Sequence, residues 1–107
     1  MHEYWKHRIA DELRAKGLKV EVEAPLKTGG TVDILVHTKD GPRAIEIETG
    51  KSDARANVDK CRKAGLPVTV MATDAEAARS LLEMLPESTK VDRVMSWSGQ
   101  LAALNQH

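Results

Sequence analysis

Phenylalanine is missing from this chain, and its aromatic side chains are Tyr4, Trp5 and Trp97 alone. So thin a supply argues against the stacked-aromatic platform on which single-strand nucleic-acid binders lay bases. The single cysteine, Cys61, leaves no partner for an internal disulfide. No apolar run is long enough to span a bilayer and no secretory leader pattern is found, so the cytoplasm is the expected compartment and a membrane is not an expected partner. Neither sign of charge is in excess, because 16 Lys and Arg balance 16 Asp and Glu. Any nucleic-acid surface must therefore be a local patch rather than a global basic field. The four histidines form no zinc set: His2 and His7 miss the i, i+4 spacing, His37 falls near a hairpin end and His107 is terminal.

What remains is an ordinary globular composition. A chain of 107 residues with 41% hydrophobic content is expected to form one domain, residues 1–107, with a core that needs no staples. No internal repeat, low-complexity stretch or linker interrupts it. Trp5, Ile9 and Leu13 at helical spacing predict a helix over residues 2–16, stopped by Gly17. Residues 18–23 alternate as a strand, and residues 24–30, with Pro25, Gly29 and Gly30, read as a loop. Two further alternating strands cover 31–37 and 43–48, joined by the turn Lys39-Asp40-Gly41-Pro42. A second helix is expected over 52–64, capped by Ser52 and buried along Ala54, Val58 and Cys61, with Gly65-Leu66-Pro67 ending it. Then come a short apolar strand at 68–72, a helix at 74–85 with Ala78, Leu81, Leu82 and Leu85 inward, and a strand at 91–96. Residues 101–104 could add a helical turn. The fold class is α/β, with a mixed β-sheet flanked by helices on both faces.

The most informative residues are Asp33 in one strand of the hairpin and Glu46 and Glu48 in the other. Alternation puts Glu46 and Glu48 on one face, and hairpin pairing brings Asp33 to the same face. Either a two-residue Asp40-Gly41 turn, pairing Lys39 with Pro42, or a wider loop, pairing Thr38 with Arg43, sets Asp33 opposite Glu48 and diagonal to Glu46. Two carboxylates about 6 Å apart repel by roughly 3 kcal/mol at an effective dielectric near 20. Mg²⁺ or Mn²⁺ would offset that repulsion, because hard cations take carboxylate oxygens. The bland alternative is a solvated sheet face, where water screens the charges.

In element order and in the runs Val32-Asp33-Ile34-Leu35 and Ala44-Ile45-Glu46-Ile47-Glu48-Thr49-Gly50-Lys51-Ser52, the chain resembles the PD-(D/E)XK nuclease superfamily. Within it, the residues look most like small archaeal and viral Holliday junction resolvase-like nucleases and nuclease modules found with DNA-translocating ATPases. The resemblance implies a restriction-endonuclease-like αβββαβ core and a metal-dependent DNA endonuclease, working on junctions or branched DNA as a homodimer, with such an ATPase as a further partner. It implies that Asp33, Glu46 and the Ile47 carbonyl hold Mg²⁺, with Mn²⁺ as a substitute, and that Glu48 is a third ligand or orients a water. Two departures stand out. Val32 takes the place of the usual proline, and Glu48 occupies the position where the family carries lysine. Lys51 is the nearest replacement for that lysine. On the second helix Lys51, Arg55 and Arg62 lie to one side of the buried stripe and Asn57 and Lys60 to the other. Asn57 is taken as a site neighbour and Arg55 as a phosphate contact, and Lys27 and Thr28 in the loop entering the Asp33 strand as further phosphate contacts. Their competing reading is a solvated helix face and a plain connection. Gly50-Lys51-Ser52 is not the end of a Walker A loop, since that motif's first glycine would fall at Ile45. Cys61 lies on an apolar stripe and reads as a small core residue. A degenerate nuclease fold that binds nucleic acid or docks on an ATPase without cleaving, and a purely structural module with its acidic face open to solvent, are the other classes.

Overall fold

The computed structural model describes residues 2–49, 53–85 and 89–93. They run α1 (His2–Ala15), β1 (Lys19–Pro25), β2 (Thr31–Thr38), β3 (Gly41–Glu48), α2 (Ala54–Lys63), β4 (Val68–Ala72), α3 (Ala75–Met84) and β5 (Lys90–Arg93). The five strands form one sheet in the order β1-β2-β3-β4-β5. The pairs β1–β2 and β2–β3 are antiparallel, and β3–β4 and β4–β5 are parallel. Parallel neighbours need a crossover, and α2 and α3 supply it. Alternation along β3 and β4 then separates two cores. Ile45, Ile47 and Met71 pack with Ile9, Ala10 and Leu13 of α1. On the opposite face Val70 and Ala72 pack with Ala54 and Val58 of α2 and with Ala77, Ala78 and Leu81 of α3. The expected mixed sheet with helices on both faces is the architecture found. Among the described residues no helix is long and apolar enough to cross a membrane.

The helix ends follow local chemistry. Gly17 adopts φ +86°, which lets its N–H reach the Arg14 carbonyl at 2.9 Å and the Leu18 N–H reach that of Leu13 at 3.2 Å. Those two bonds satisfy carbonyls that would otherwise be orphaned at the C-terminus. The cap of α2 is Asp53 rather than the expected Ser52: its Oδ1 accepts the Ala56 N–H at 3.1 Å. A carboxylate both caps and complements the helix dipole, which a serine hydroxyl does less well. Ser52 lies outside the described residues. Asp74 caps α3 in the same way, accepting the Ala77 N–H at 2.7 Å. Leu82 does not face inward; it is 64% exposed while Leu81 is 1% exposed. Consecutive helical side chains diverge by about 100°, and the stripe through Ala77, Ala78, Leu81 and Leu85 leaves no room for Leu82.

Two strand boundaries also differ from expectation. β1 continues through Ala24 and Pro25, which pair with Val32 and Thr31, so the loop shortens to residues 26–30 and is closed by the Leu26 N–H on the Gly30 carbonyl at 2.9 Å. Pro25 is tolerated because it ends an edge strand. The hairpin register is the larger correction. Thr38 pairs with Gly41, His37 with Pro42 and Ile34 with Ile45, two residues away from the expected pairing. The Thr38 hydroxyl donates to the Gly41 carbonyl at 2.7 Å and accepts the Asp40 N–H at 3.2 Å, while Gly41 takes φ +113°. Glycine alone adopts that angle cheaply, so Gly41 opens the strand and Lys39-Asp40 makes the turn. β5 begins at Lys90; residues 94–96 of the expected last strand and the expected turn at 101–104 lie outside the described residues.

Candidate metal centre

A register error of two residues preserves strand parity, so Asp33 still shares a face with Glu46 and Glu48. Carried one step past its last pair, the observed register sets Asp33 across from Glu46 rather than Glu48. The β2–β3 pairing stops at Ile34 and Ile45, and beyond it the Ile47 N–H donates to Asp33 Oδ2 at 2.8 Å. On the other side of β2, pairing to β1 skips the Glu23–Asp33 position, where Glu23 has φ +52°. The Asp33 backbone thus sits at a gap in both ladders. Its carboxylate does for Ile47 what a neighbouring carbonyl does elsewhere in the sheet.

β3 lies inside the sheet, with a helix on each face, which decides the environment of the two glutamates. Glu46 is 3% and Glu48 1% exposed, so the solvated-face reading fails for both. Burying an ionised carboxylate costs several kcal/mol unless charges or hydrogen bonds compensate. α2 supplies part of that compensation. Asn57 Nδ2 donates to Glu48 Oε1 at 2.9 Å, and Lys60 Nζ stands 3.6 Å from Glu46 Oε1 and 3.4 Å from Asn57 Oδ1. Glu48 Oε2 is buried and has no hydrogen-bond partner among the described residues. The Glu46 pKa is pushed up to about 8, first by burial and then by the charge of Asp33; Lys60 pulls it down, while a side-chain hydrogen bond with Asp33 and the charge of Glu48 push it up again. Near neutrality Glu46 therefore tends to keep its proton. Cys61 Sγ lies 3.9 Å from Glu46 Oε1. Burial, followed by the Glu46 charge, pushes its thiol up to about 12, so it stays protonated and behaves as the small core residue expected of it.

The other expected site residues separate into near and far. Thr28, though exposed, lines a groove with Gly29, Ala56, Asp59, Lys60 and Lys63, next to the cation that meets Glu46. Lys27 faces a different hollow with Leu35, His37 and Pro42. Arg55 is exposed on α2, and no contact joins it to the acidic residues among those described. Lys51 lies outside the described residues. Alternation and spacing give Lys60 no role, yet it is the cation found beside Glu46. Its i+3 relation to Asn57 was the available signal, since residues three apart share a helix flank. Among the described residues no group of three or more His, Cys, Asp or Glu is arranged to hold a metal ion; Asp33 is engaged by Ile47 and Glu48 by Asn57. Compared with known protein families, with curated proteins and with solved structures, the chain matches none.

Proposed function

We propose that this chain is a metal-dependent deoxyribonuclease that hydrolyses phosphodiester bonds, with Asp33, Glu46 and Glu48 as its acidic centre. The observation that carries the reading is Glu48 Oε2, a carboxylate oxygen that is buried yet without a hydrogen-bond partner among the described residues. An orphan of this kind costs free energy that a bound cation would recover, and Glu46 feels the charges of both Glu48 and Asp33. Asp33 and Glu46, with the Ile47 carbonyl, would hold the ion, and Glu48 would provide the third carboxylate. Mg²⁺ or Mn²⁺ bound there supplies Lewis acidity toward a water and a phosphate oxygen. The chain's own residues do the rest. The Ile47 N–H fixes Asp33, Asn57 fixes Glu48, and the Lys60 ammonium offers positive charge beside Glu46 for a phosphate gaining negative charge. The element order and sheet order also accord with the αβββαβ core that the sequence resemblance implies.

The test is incubation with branched, duplex and single-stranded DNA, with and without Mg²⁺ or Mn²⁺, alongside Asp33→Ala and Lys60→Ala, with Mn²⁺ binding followed in parallel by electron paramagnetic resonance. Metal-dependent cleavage lost in Asp33→Ala together with tight Mn²⁺ binding is expected. Absence of Mn²⁺ binding in the wild-type chain would sink the reading. A second reading is a non-cleaving DNA-binding or ATPase-docking domain of the same fold, favoured by a glutamate at position 48 where the resembled family carries lysine. Mn²⁺ and DNA binding with no cleavage of any substrate is the result that selects it.

A further inference from the structure

The acidic centre occupies the last residues of β3, and charge of the opposite sign gathers where the same strand begins. A cavity of about 340 Å³ opens there against the first residues of β4 and β5, and Arg43, Arg62 and Lys90 all line it. Leu66, Pro67 and Val68 give it an apolar wall, and its described lining contains no carboxylate. Each arginine donates to a threonine hydroxyl. Arg43 Nη1 donates to Thr69 Oγ1 at 3.1 Å, and Arg62 Nη2 donates to Thr89 Oγ1 at 3.1 Å. Thr69 and Thr89 are themselves buried, at 4% and 8% exposure. Arg62 stands in the last turn of α2, where it also complements the helix carbonyls, so Arg43 is the decisive residue. It is half-buried, and among the described residues its guanidinium has the Thr69 hydroxyl as its only partner. A guanidinium held in place by a neutral group keeps its charge and most of its donor fork for an anion.

We propose that this cavity binds a phosphomonoester of mononucleotide size, with the phosphate on Arg43 and Lys90 and the planar base against Leu66, Pro67 and Val68. Arginine forks match phosphate oxygens pairwise. A volume of about 340 Å³ is at the small end for ligand pockets and suits one nucleotide rather than an oligonucleotide. In a chain of zero net charge, a three-cation cavity is a local feature that composition does not reveal. The site rests on its own residues and not on phosphodiester chemistry.

Titration calorimetry with AMP, inorganic phosphate and adenosine, on the wild-type chain and on Arg43→Ala, Arg43→Lys and Asp33→Ala, tests it. AMP should bind more tightly than phosphate, and adenosine at least about tenfold more weakly than AMP, because hydrogen bonds to a charged group are at stake. Arg43→Ala should lose about tenfold or more in AMP affinity, and Arg43→Lys should recover only part of it because the fork is gone. Lys90→Ala, an exposed change that leaves the fold alone, should weaken AMP and leave adenosine unmoved, and it serves if Arg43→Ala fails to fold. Asp33→Ala should bind AMP as the wild type does, so failure here is distinct from failure of the nuclease reading. Equal binding of adenosine and AMP, or AMP binding unchanged in both Arg43→Ala and Lys90→Ala, would overturn the proposal. Equal affinity for phosphate and AMP would overturn its nucleotide part.

Discussion

The two faces of β3 carry opposite kinds of side chain within five consecutive residues. Toward α1 the strand presents Ile45 and Ile47, each 1% exposed and packed among Ile9, Leu13, Ile34 and Met71. Toward α2 it presents Ala44, Glu46 and Glu48, equally buried but met by Asn57, Lys60 and Cys61. The first face is dry and close-packed; the second spends stability on buried carboxylates. That contrast separates what holds this fold together from what its residues are placed to do.

The contrast breaks most severely on the α1 side. Ile47→Ala removes a side chain with no room to collapse, and should cost about 4 kcal/mol in denaturant unfolding. Loss below about 1 kcal/mol would mean that the face is far less tightly packed than it looks. On the α2 side the sign reverses. Glu46 holds its proton up to a pH of about 8 in the folded chain against 4.5 when unperturbed. Across that window the unfolded chain releases a proton that the folded chain keeps, so stability falls as pH rises, and the contribution present below the lower value is gone above the upper one. Glu46→Gln should flatten this slope, matching the wild type at acidic pH and exceeding its stability by about 5 kcal/mol above the upper value. Unfolding curves at several pH values read it directly, and Mn²⁺ added to the wild type should shrink the same slope. The smallest effect lies at the groove. Gly30 has φ +78°, and an added Cβ would meet Lys60 Cδ at 3.4 Å. Gly30→Ala should cost about 1 kcal/mol through its backbone angle and should nudge Lys60 away from Glu46, detectable as a further upward shift of the glutamate in NMR titration.

Much of this contrast was legible in the sequence. Alternation in residues 31–37 and 43–48 marks both faces, and because side-chain direction repeats every second residue, the shared face of Asp33, Glu46 and Glu48 survives the two-residue slip in register. The slip itself was hidden in a backbone angle: Asp40-Gly41 reads as a turn in any case, and only the Thr38 hydroxyl bonds and the φ of Gly41 choose which residues form it. Burial of the glutamates was not legible either. It depends on β4 and α2 closing over them from far along the chain. The role of Lys60 depends on the same closure. Nothing in the sequence marks Lys6, yet it is 2% exposed with its Nζ 2.7 Å from both Glu3 and Glu23. Burial lowers its pKa, but the hydrogen bonds and charges of Glu23 and Glu3 outweigh that and leave it above the ordinary value.

Among the described residues β1 is an edge of the sheet, and an exposed edge is a template on which another strand can add. Glu23, with its left-handed φ of +52° and its carboxylate clamped to Lys6, interrupts that template in mid-strand. An incoming strand would find no continuous row of N–H and carbonyl groups, and it would have to approach a carboxylate. The kink at Glu23 that interrupts the β1–β2 register therefore also spoils the outer side of β1 as a template for strand addition.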